Sequence, residues 1–147
     1  GARIMSLQDY NKKMSKSDSN LNNIISLLDN EKQIFKKINS AITDSEMEVA
    51  YSTDKPGISN LIDIYCSITG FSVENVVNSY NGKLYSDFKT DLAEIIISLL
   101  KPIQENFNNI IKDKEYISNI LKEGSDYAKY TTRKTLSKVY RKVGFIQ

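Results

Sequence analysis

The amino-acid sequence predicts an all-α fold, a compact bundle of about six or seven helices that follows an extended N-terminal strand and loop. Apolar residues recur at spacings of three and four along most of the 147 residues, as in amphipathic helices. The sequence shows no alternation of strand and helix patterns, so it does not predict a parallel sheet. It also has no repeat of about 20–50 residues, so it does not predict a solenoid. A chain of this length can form one ordinary domain with a buried core.

The first residues depart from the helical pattern. Residues 1–8 predict a short strand or extended entry, because Arg3-Ile4-Met5-Ser6-Leu7 roughly alternates between polar and apolar side chains. Residues 9–17 are polar and lack apolar periodicity, so they predict a loop.

Two helices are predicted after this loop. Asp18 or Ser19 can cap a first helix that runs to about Asn30, with apolar residues at helical spacing. Asp29 can cap a second helix. The inner face of this second helix is predicted to contain Ile34, Phe35, Ile38 and Ile42.

The middle of the chain predicts two further helices. A polar connection over residues 43–57 ends in the turn signal Lys55-Pro56-Gly57. Ser59 or Asn60 is expected to begin the third helix, which runs through Thr69 and is stopped by Gly70. Ser72 is expected to cap a short fourth helix that ends at Asn81-Gly82.

The longest helix is predicted from one continuous apolar stripe, and Pro102 inside it should bend the helix near Ser98. A sixth short element is predicted over residues 116–121, with a break at Gly124-Ser125 and a final helix from Asp126 to about Val143. The stripe consists of Leu84, Phe88, Leu92, Ile95, Ile96, Leu99, Leu100, Ile103, Phe107, Ile110 and Ile111.

Composition excludes several kinds of catalytic site. The chain contains no His, so it has no Ser-His-Asp or Cys-His pair, no imidazole zinc ligand and no histidine general base. The single Cys, Cys66, excludes an internal disulfide and lies in an apolar pattern, where we interpret it as a small buried side chain. No apolar run reaches the roughly 18 residues that a membrane span needs. Catalysis would therefore depend on lysines, hydroxyls, carboxylates or backbone groups.

The segment Lys13-Met14-Ser15-Lys16-Ser17 has an unusual chemistry for so short a loop. It places two ammonium groups and two hydroxyls within five residues. Lysine is a compact cation on a flexible stem, and two of them three positions apart can surround a polyphosphate. In a loop they can also move, so that their contact tightens as charge develops on a leaving group. The alternative is a solvated basic loop without function.

A second group of basic residues lies near the end of the chain. Spacings of three and four place them in neighbouring rows on one predicted helix, which suits a phosphate backbone and predicts binding that weakens with salt. The alternative is a solvated helix face. Tyr127 and Tyr130 can stack on an unpaired base, although their helical spacing favours packing within the protein. The candidate RNA-binding residues are Lys129, Arg133, Lys134, Lys138 and Arg141.

The pentamer KMSKS is the second signature of class I aminoacyl-tRNA synthetases, and the whole chain resembles the tryptophanyl-tRNA synthetase family. The resemblance includes the N-terminal stretches GARIMSLQD and KKMSKSD, and it continues in the same order through KKINSAITDSE, KPGISNLIDIYCSITG, GKLYSDFKTDLAEIIISLLKPIQ and TLSKVYRKVGF. The tyrosyl relatives share the architecture but usually carry a different version of the loop. Tyr10-Asn11 departs from the Pro-Thr often found at this place in the family.

This resemblance implies an enzyme that activates tryptophan with ATP to tryptophanyl-adenylate and pyrophosphate, and then transfers the acyl group to tRNA(Trp). It implies that residues 1–18 end a Rossmann-type catalytic domain and that residues 19–147 form a helical anticodon-binding domain. Lys13 and Lys16 would be catalytic and contact the ATP phosphates, and Lys16 would follow the pyrophosphate. The remaining ATP-site residues implied are Ile4 and Met14, near the adenine, and Ser15 and Ser17, which would support the loop.

The resemblance also implies binding partners, and it implies that part of the family's sequence is missing from this chain. Mg²⁺ is expected with ATP, but no protein ligand for it is identified in this chain, and the full-length enzyme is expected to be a cytoplasmic homodimer with no membrane association. The family's first, His-containing signature is absent, and the chain does not begin with Met. We therefore expect a fragment that does not activate tryptophan alone. The alternative interpretation is a helical RNA- or protein-binding module in which the KMSKS loop is a remnant.

Overall fold

The computed structural model describes residues 3–145, and these are helical apart from the loops. The five α-helices of these residues are α1 at Glu31–Asn39, α2 at Pro56–Thr69, α3 at Val73–Ser79, α4 at Tyr85–Lys112 and α5 at Lys114–Val143, and a single 3₁₀ turn at Leu21–Asn23 precedes them. The all-α class is confirmed. The predicted count of six or seven helices and the N-terminal strand are wrong for these residues, and Gly1 and Ala2 of the predicted strand lie outside them.

The chain divides into two compact units. The first comprises residues 1–104 and the second residues 105–147. The predicted functional boundary after residue 18 is a different division and stays a prediction. The predicted loop and helices α1 to α3 all belong to the first unit.

The helix predicted over residues 19–30 does not form, and a short 3₁₀ turn takes its place. The Asn20 side chain caps this turn by accepting the Asn22 N–H at 3.1 Å. Asn and Ser compete with helical hydrogen bonds through such local contacts. The Asn23 carbonyl instead accepts the N–H of Leu7, and Gln104 donates to the Leu27 and Asp29 carbonyls at 2.9 Å.

The two elements predicted after residue 115 are a single helix, α5. Asp113 separates it from α4 and caps its first turn, accepting the Tyr116 N–H at 2.9 Å. Gly124 does not break α5, since one helical glycine costs only about 1 kcal/mol relative to alanine. The true C-terminal signal is Gly144, which has a φ of 77°.

The other helices form close to their predicted places. Ser72 caps α3 and Gly70 ends α2, as predicted. Helix α2 begins earlier than predicted, with Pro56 in its first turn, where a missing N–H costs nothing. Asn30 rather than Asp29 caps α1, and it forms a reciprocal capping box with Gln33. Helix α4 continues through Pro102.

The core of the first unit is built from apolar faces of α1, α2 and α4. The aromatic ring of Phe88 is fully buried and packs against Tyr65 and Tyr80, with ring centroids 5.8 and 5.0 Å apart. Burying a side chain of this size contributes roughly 1.5–3 kcal/mol. Further large apolar side chains that are almost fully buried are Ile34, Ile38, Ile58, Leu61, Ile62, Leu92 and Val76.

Two buried lysines bind polar groups at the two ends of α1. Lys37 pairs with Asp29, and both side chains are 8% exposed. Lys89 donates to the Ala41 carbonyl at 2.8 Å and to Thr43 Oγ1 at 3.2 Å, just beyond the end of α1. Burial lowers the pKa of Lys89. Lys89 also donates to the Asn39 carbonyl at 3.4 Å, one of the carbonyl groups that the end of α1 leaves without a helical partner.

Asp44 and Tyr85 join the loop after α1 to the start of α4. The Tyr85 hydroxyl donates to the Asp44 carboxylate, at 2.8 Å from one oxygen and 2.9 Å from the other. Lys55 adds a cation 3.9 Å from the same carboxylate. Burial alone would raise the pKa of Asp44, but the hydrogen bonds from Tyr85 and from the Glu46 N–H outweigh it and hold this pKa below its usual range.

We predict that Gly57→Ala destabilises the fold by about 1–3 kcal/mol. A Cβ at this position would lie 2.2 Å from the Ile42 carbonyl oxygen, which is backbone and cannot swing away. Urea unfolding followed by circular dichroism measures the change. Gly124→Ala is the control, since a Cβ there meets nothing within 4 Å, and it should leave stability unchanged or raise it by up to about 1 kcal/mol. Equal stability of Gly57→Ala and the original chain would contradict the close approach.

We predict that Asp44→Asn lowers the free energy of unfolding at pH 7 by about 1.5 kcal/mol, because Tyr85 loses a charged acceptor. A carboxyl with a lowered pKa stabilises the folded state above its unfolded pKa, and this contribution is lost as pH falls through the folded pKa. The difference between the two proteins should therefore shrink below about pH 4. The exposed Asp54→Asn variant is the control. A difference that is independent of pH from 7 to 3 would refute this role.

Candidate functional site

The KMSKS residues lie on a hairpin-like loop whose two sides are hydrogen-bonded to each other. The Ser6 N–H donates to the Lys12 carbonyl at 2.8 Å, and the Met14 N–H donates to the Ile4 carbonyl at 3.1 Å. Met5 and Lys13 face each other between these bonds in a single antiparallel bridge. Lys13 therefore extends from a backbone that is paired on both of its flanks.

The other edge of residues 4–7 is also paired, which explains why this segment is extended without belonging to a sheet. The Met5 N–H and carbonyl bond to the side chain of Asn60 in α2, at 2.7 and 2.9 Å. The Leu7 N–H donates to the Asn23 carbonyl at 3.0 Å, and its carbonyl accepts the Ile42 N–H at 2.9 Å. Side chains and loop backbone thus occupy the positions that a neighbouring strand would take.

The charged groups of the loop are exposed to solvent and can bind an anion. Neither Lys13 nor Lys16 has a carboxylate partner within residues 3–145, whereas the neighbouring Lys12 pairs with Asp9 at 3.4 Å. The hydroxyls of Ser15 and Ser17 lie 3.1 Å apart and are also exposed. The loop therefore offers two ammonium groups and two hydroxyls to an anion.

The end of the loop is closed by Asp18. Its N–H donates to the Ser15 carbonyl at 3.1 Å, and its carboxylate accepts from Asn23 Nδ2 and from the Asn20 N–H, both at 2.9 Å. The side-chain hydrogen bond from Asn23 and the backbone bond from Asn20 lower the pKa of Asp18. A carboxylate that would otherwise compete for Lys13 or Lys16 is thereby directed to amide groups.

Ile4 and Met14 are half-buried against the core of the first unit. Together with Ile25, Ile64, Ile96 and Leu99 they line an apolar cavity of about 210 Å³. The packing anchors both sides of the hairpin to this unit. Their predicted contact with adenine stays a prediction.

The structure places all five candidate RNA-binding residues on α5, with exposed side chains. Lys134 Nζ lies 4.3 Å from the centre of the Tyr130 ring, and Lys129 is 4.0 Å from Asp126. Tyr127 and Tyr130 are 75% and 61% exposed, so their interpretation as packed residues is wrong for this structure. Helix α5 therefore presents both cations and aromatic rings to solvent.

Sequence reasoning did not find the residues that hold the loop. The sequence predicts Asn60 only as a possible start of the third helix, but it lies inside α2, beside the fully buried Ile58, Leu61 and Ile62. An amide in such an apolar run signals a buried polar group that needs partners. Asn23 gave no comparable signal, because it belongs to a polar stretch.

Two general features are absent from the part of the chain that the structure describes. No group of three or more His, Cys, Asp or Glu residues is arranged to hold a metal ion there. None of its helices combines the length and apolar character needed to cross a membrane.

Comparison with known proteins adds independent evidence. The family model described as tRNA synthetases class I (W and Y) matches residues 2–101. The chain is 46% identical over 146 residues to the tryptophan–tRNA ligase of Clostridium perfringens and 50% identical over 145 residues to that of Listeria monocytogenes. These alignments cover 99% and 98% of the chain but 44% of each relative.

Solved structures give the same result. A tryptophanyl-tRNA synthetase from Mycoplasma pneumoniae matches with a TM-score of 0.70 at 33% identity, over 98% of this chain and 44% of that one. One from Campylobacter jejuni matches with a TM-score of 0.77 at 26% identity, over 99% of this chain and 44% of that one. The chain thus spans less than half the length of the proteins that it matches.

Proposed function

Because this chain belongs to the class I tRNA synthetases of the tryptophan and tyrosine (W and Y) group, we propose that it is part of a tryptophan–tRNA ligase. Its role is to supply the loop that binds the ATP phosphates and the helices that bind tRNA(Trp). The observation that carries the proposal is that Lys13 and Lys16 are exposed and, within residues 3–145, have no carboxylate partner, on a loop whose backbone is paired.

Lys13 and Lys16 act on the phosphate chain of ATP. In adenylate formation, the tryptophan carboxylate attacks the α-phosphorus, and the bond from that phosphorus to the pyrophosphate oxygen breaks. Pyrophosphate leaves with the electron pair, so negative charge grows on it. Ammonium groups that follow this charge stabilise the transition state more than bound ATP. Lys16, further from the paired part of the hairpin, is the residue that moves with pyrophosphate.

The neighbouring residues support this contact. The Ser15 and Ser17 hydroxyls donate to phosphate oxygens or hold the loop, and the backbone of Ile4 and Met14 lies near the adenine. Mg²⁺ accompanies ATP in this proposal. The described residues hold no carboxylate cluster for it, so we assign no step of the reaction to a metal ligand of this chain.

The helical part binds tRNA in this proposal. The exposed cations of α5 contact the phosphate backbone, and Tyr127 and Tyr130 offer rings on which unpaired bases can stack. Residues 1–18 end the catalytic domain and residues 19–147 form the anticodon-binding domain. The complete enzyme acts as a homodimer in the cytoplasm.

We predict that Lys13→Ala with Lys16→Ala lowers tryptophan-dependent exchange of pyrophosphate into ATP by at least about 100-fold. The measurement uses the complete protein encoded by the reading frame that contains this chain. Removal of both ammonium groups takes two cations away from the charge that develops on pyrophosphate, whereas the KM for tryptophan should change little. Lys12→Ala is the matched control, since it removes a neighbouring charge that already pairs with Asp9. Normal exchange in the double variant would overturn the proposed role and favour an RNA- or protein-binding module.

We predict that Lys134→Glu with Lys138→Glu weakens tRNA(Trp) binding by at least about tenfold at low salt, because two phosphate contacts become repulsive. Filter binding measures the affinity, and circular dichroism checks that α5 still forms. The matched control is Lys32→Glu with Lys36→Glu, which makes the same change of charge at the same spacing on α1. Equal loss of binding in both variants, or no loss in either, would reject a specific role for α5.

A further inference from the structure

Asn60 makes a polar contact at a place where the sequence is otherwise apolar. The residue is 5% exposed, and its neighbours Ile58, Leu61 and Ile62 are at most 1% exposed. A buried amide without partners costs about 1–3 kcal/mol, so its bonds matter. Both its oxygen and its nitrogen are bonded to the backbone of one residue, Met5.

Met5 is the residue that lies directly opposite Lys13. In an antiparallel pair whose flanking residues exchange the hydrogen bonds, the central residues direct their own N–H and carbonyl groups outwards. The bonds from Ser6 to Lys12 and from Met14 to Ile4 define such a pair around Met5 and Lys13. The outward groups of Met5 are the ones that Asn60 binds. The Asn60 side chain therefore occupies the position beside Met5 that a third strand would take.

We propose that Asn60 is a positioning residue for Lys13. It fixes the backbone opposite this lysine to α2, so that the exposed ammonium group starts from a defined place in the helical unit. The inference rests on the proposed function, in which Lys13 binds a phosphate group of ATP. A displacement of about 1 Å at a reacting group can cost about 100-fold in rate, so a small shift of this backbone matters.

The remaining contacts of the hairpin make the proposal testable. Leu7 stays bonded to Asn23 and Ile42, and the side chains of Ile4 and Met14 stay packed on the core, when the Asn60 amide is removed. The hairpin should therefore remain on the unit but lose its exact position at Met5. A change in rate without loss of folding is the expected consequence.

A double-mutant cycle in the complete protein tests this coupling. Asn60→Ala and Lys13→Ala are measured singly and together by tryptophan-dependent exchange of pyrophosphate into ATP, with the KM for tryptophan and thermal unfolding recorded for each. The control is Asn78→Ala, at an exposed position of α3. Residues that act through one another give non-additive effects, whereas independent ones multiply.

We expect Asn60→Ala to lower kcat by about 10- to 100-fold with Lys13 present and by less than about twofold with Lys13 replaced, while the KM for tryptophan is unchanged. The same factor in both backgrounds, or no effect in either, would overturn the positioning role while leaving the proposed function intact. No effect of Lys13→Ala alone would instead remove the proposed function and the inference with it.

A second variant decides the question where Asn60→Ala does not fold. Asn60→Asp keeps an acceptor for the Met5 N–H but loses the donor to the Met5 carbonyl. It should show the same dependence on Lys13, and equal factors in the two backgrounds would overturn the inference.

Discussion

A loop that offers free cations to an anion must be held in place by groups other than those cations. In this chain the backbone of residues 4–7 meets that requirement, because its polar groups are bonded on both edges. One edge pairs with residues 12–14, and the other pairs with Asn60, Asn23 and Ile42. Backbone groups removed from water need such partners, and here the partners come from separate parts of the first unit. The position of the loop thus depends on the helices being formed.

The helices are held in place by the burial of apolar side chains and by a few buried polar contacts. Phe88 and the surrounding apolar side chains hold α2 and α4 together, which places Asn60 beside Met5 and an apolar surface beneath Met14. The buried Lys37 and Lys89 fix the ends of α1 and the loops beside it. An intact buried ion pair contributes little net stability, but loss of one partner is strongly destabilising because it leaves a buried charge uncompensated. The exposed cations of the loop contrast with these buried ones.

Periodicity predicted the helices with long apolar stripes, because that signal is local. Periodicity could not predict that residues 19–30 form no α-helix, since their geometry depends on bonds to Leu7 and Gln104, which are distant in sequence. The sequence pattern also predicted a break at Gly124, whereas α5 is continuous there. The helix propensity of the neighbouring residues outweighs that of one weak helix former. The pentamer itself predicts that Lys13 and Lys16 bind phosphate, and this role stays a prediction. Asn60 was missed because its role depends on a contact 55 residues away.

The proposed geometry of Lys13, Lys16 and Met5 can be tested with one structure. A crystal structure of the complete protein with ATP should show Lys13 Nζ and Lys16 Nζ within hydrogen-bonding distance of phosphate oxygens, while Met5 keeps both bonds to Asn60. The opposite result would show ATP bound with both lysines directed into solvent, or the hairpin released from α2 when the nucleotide binds.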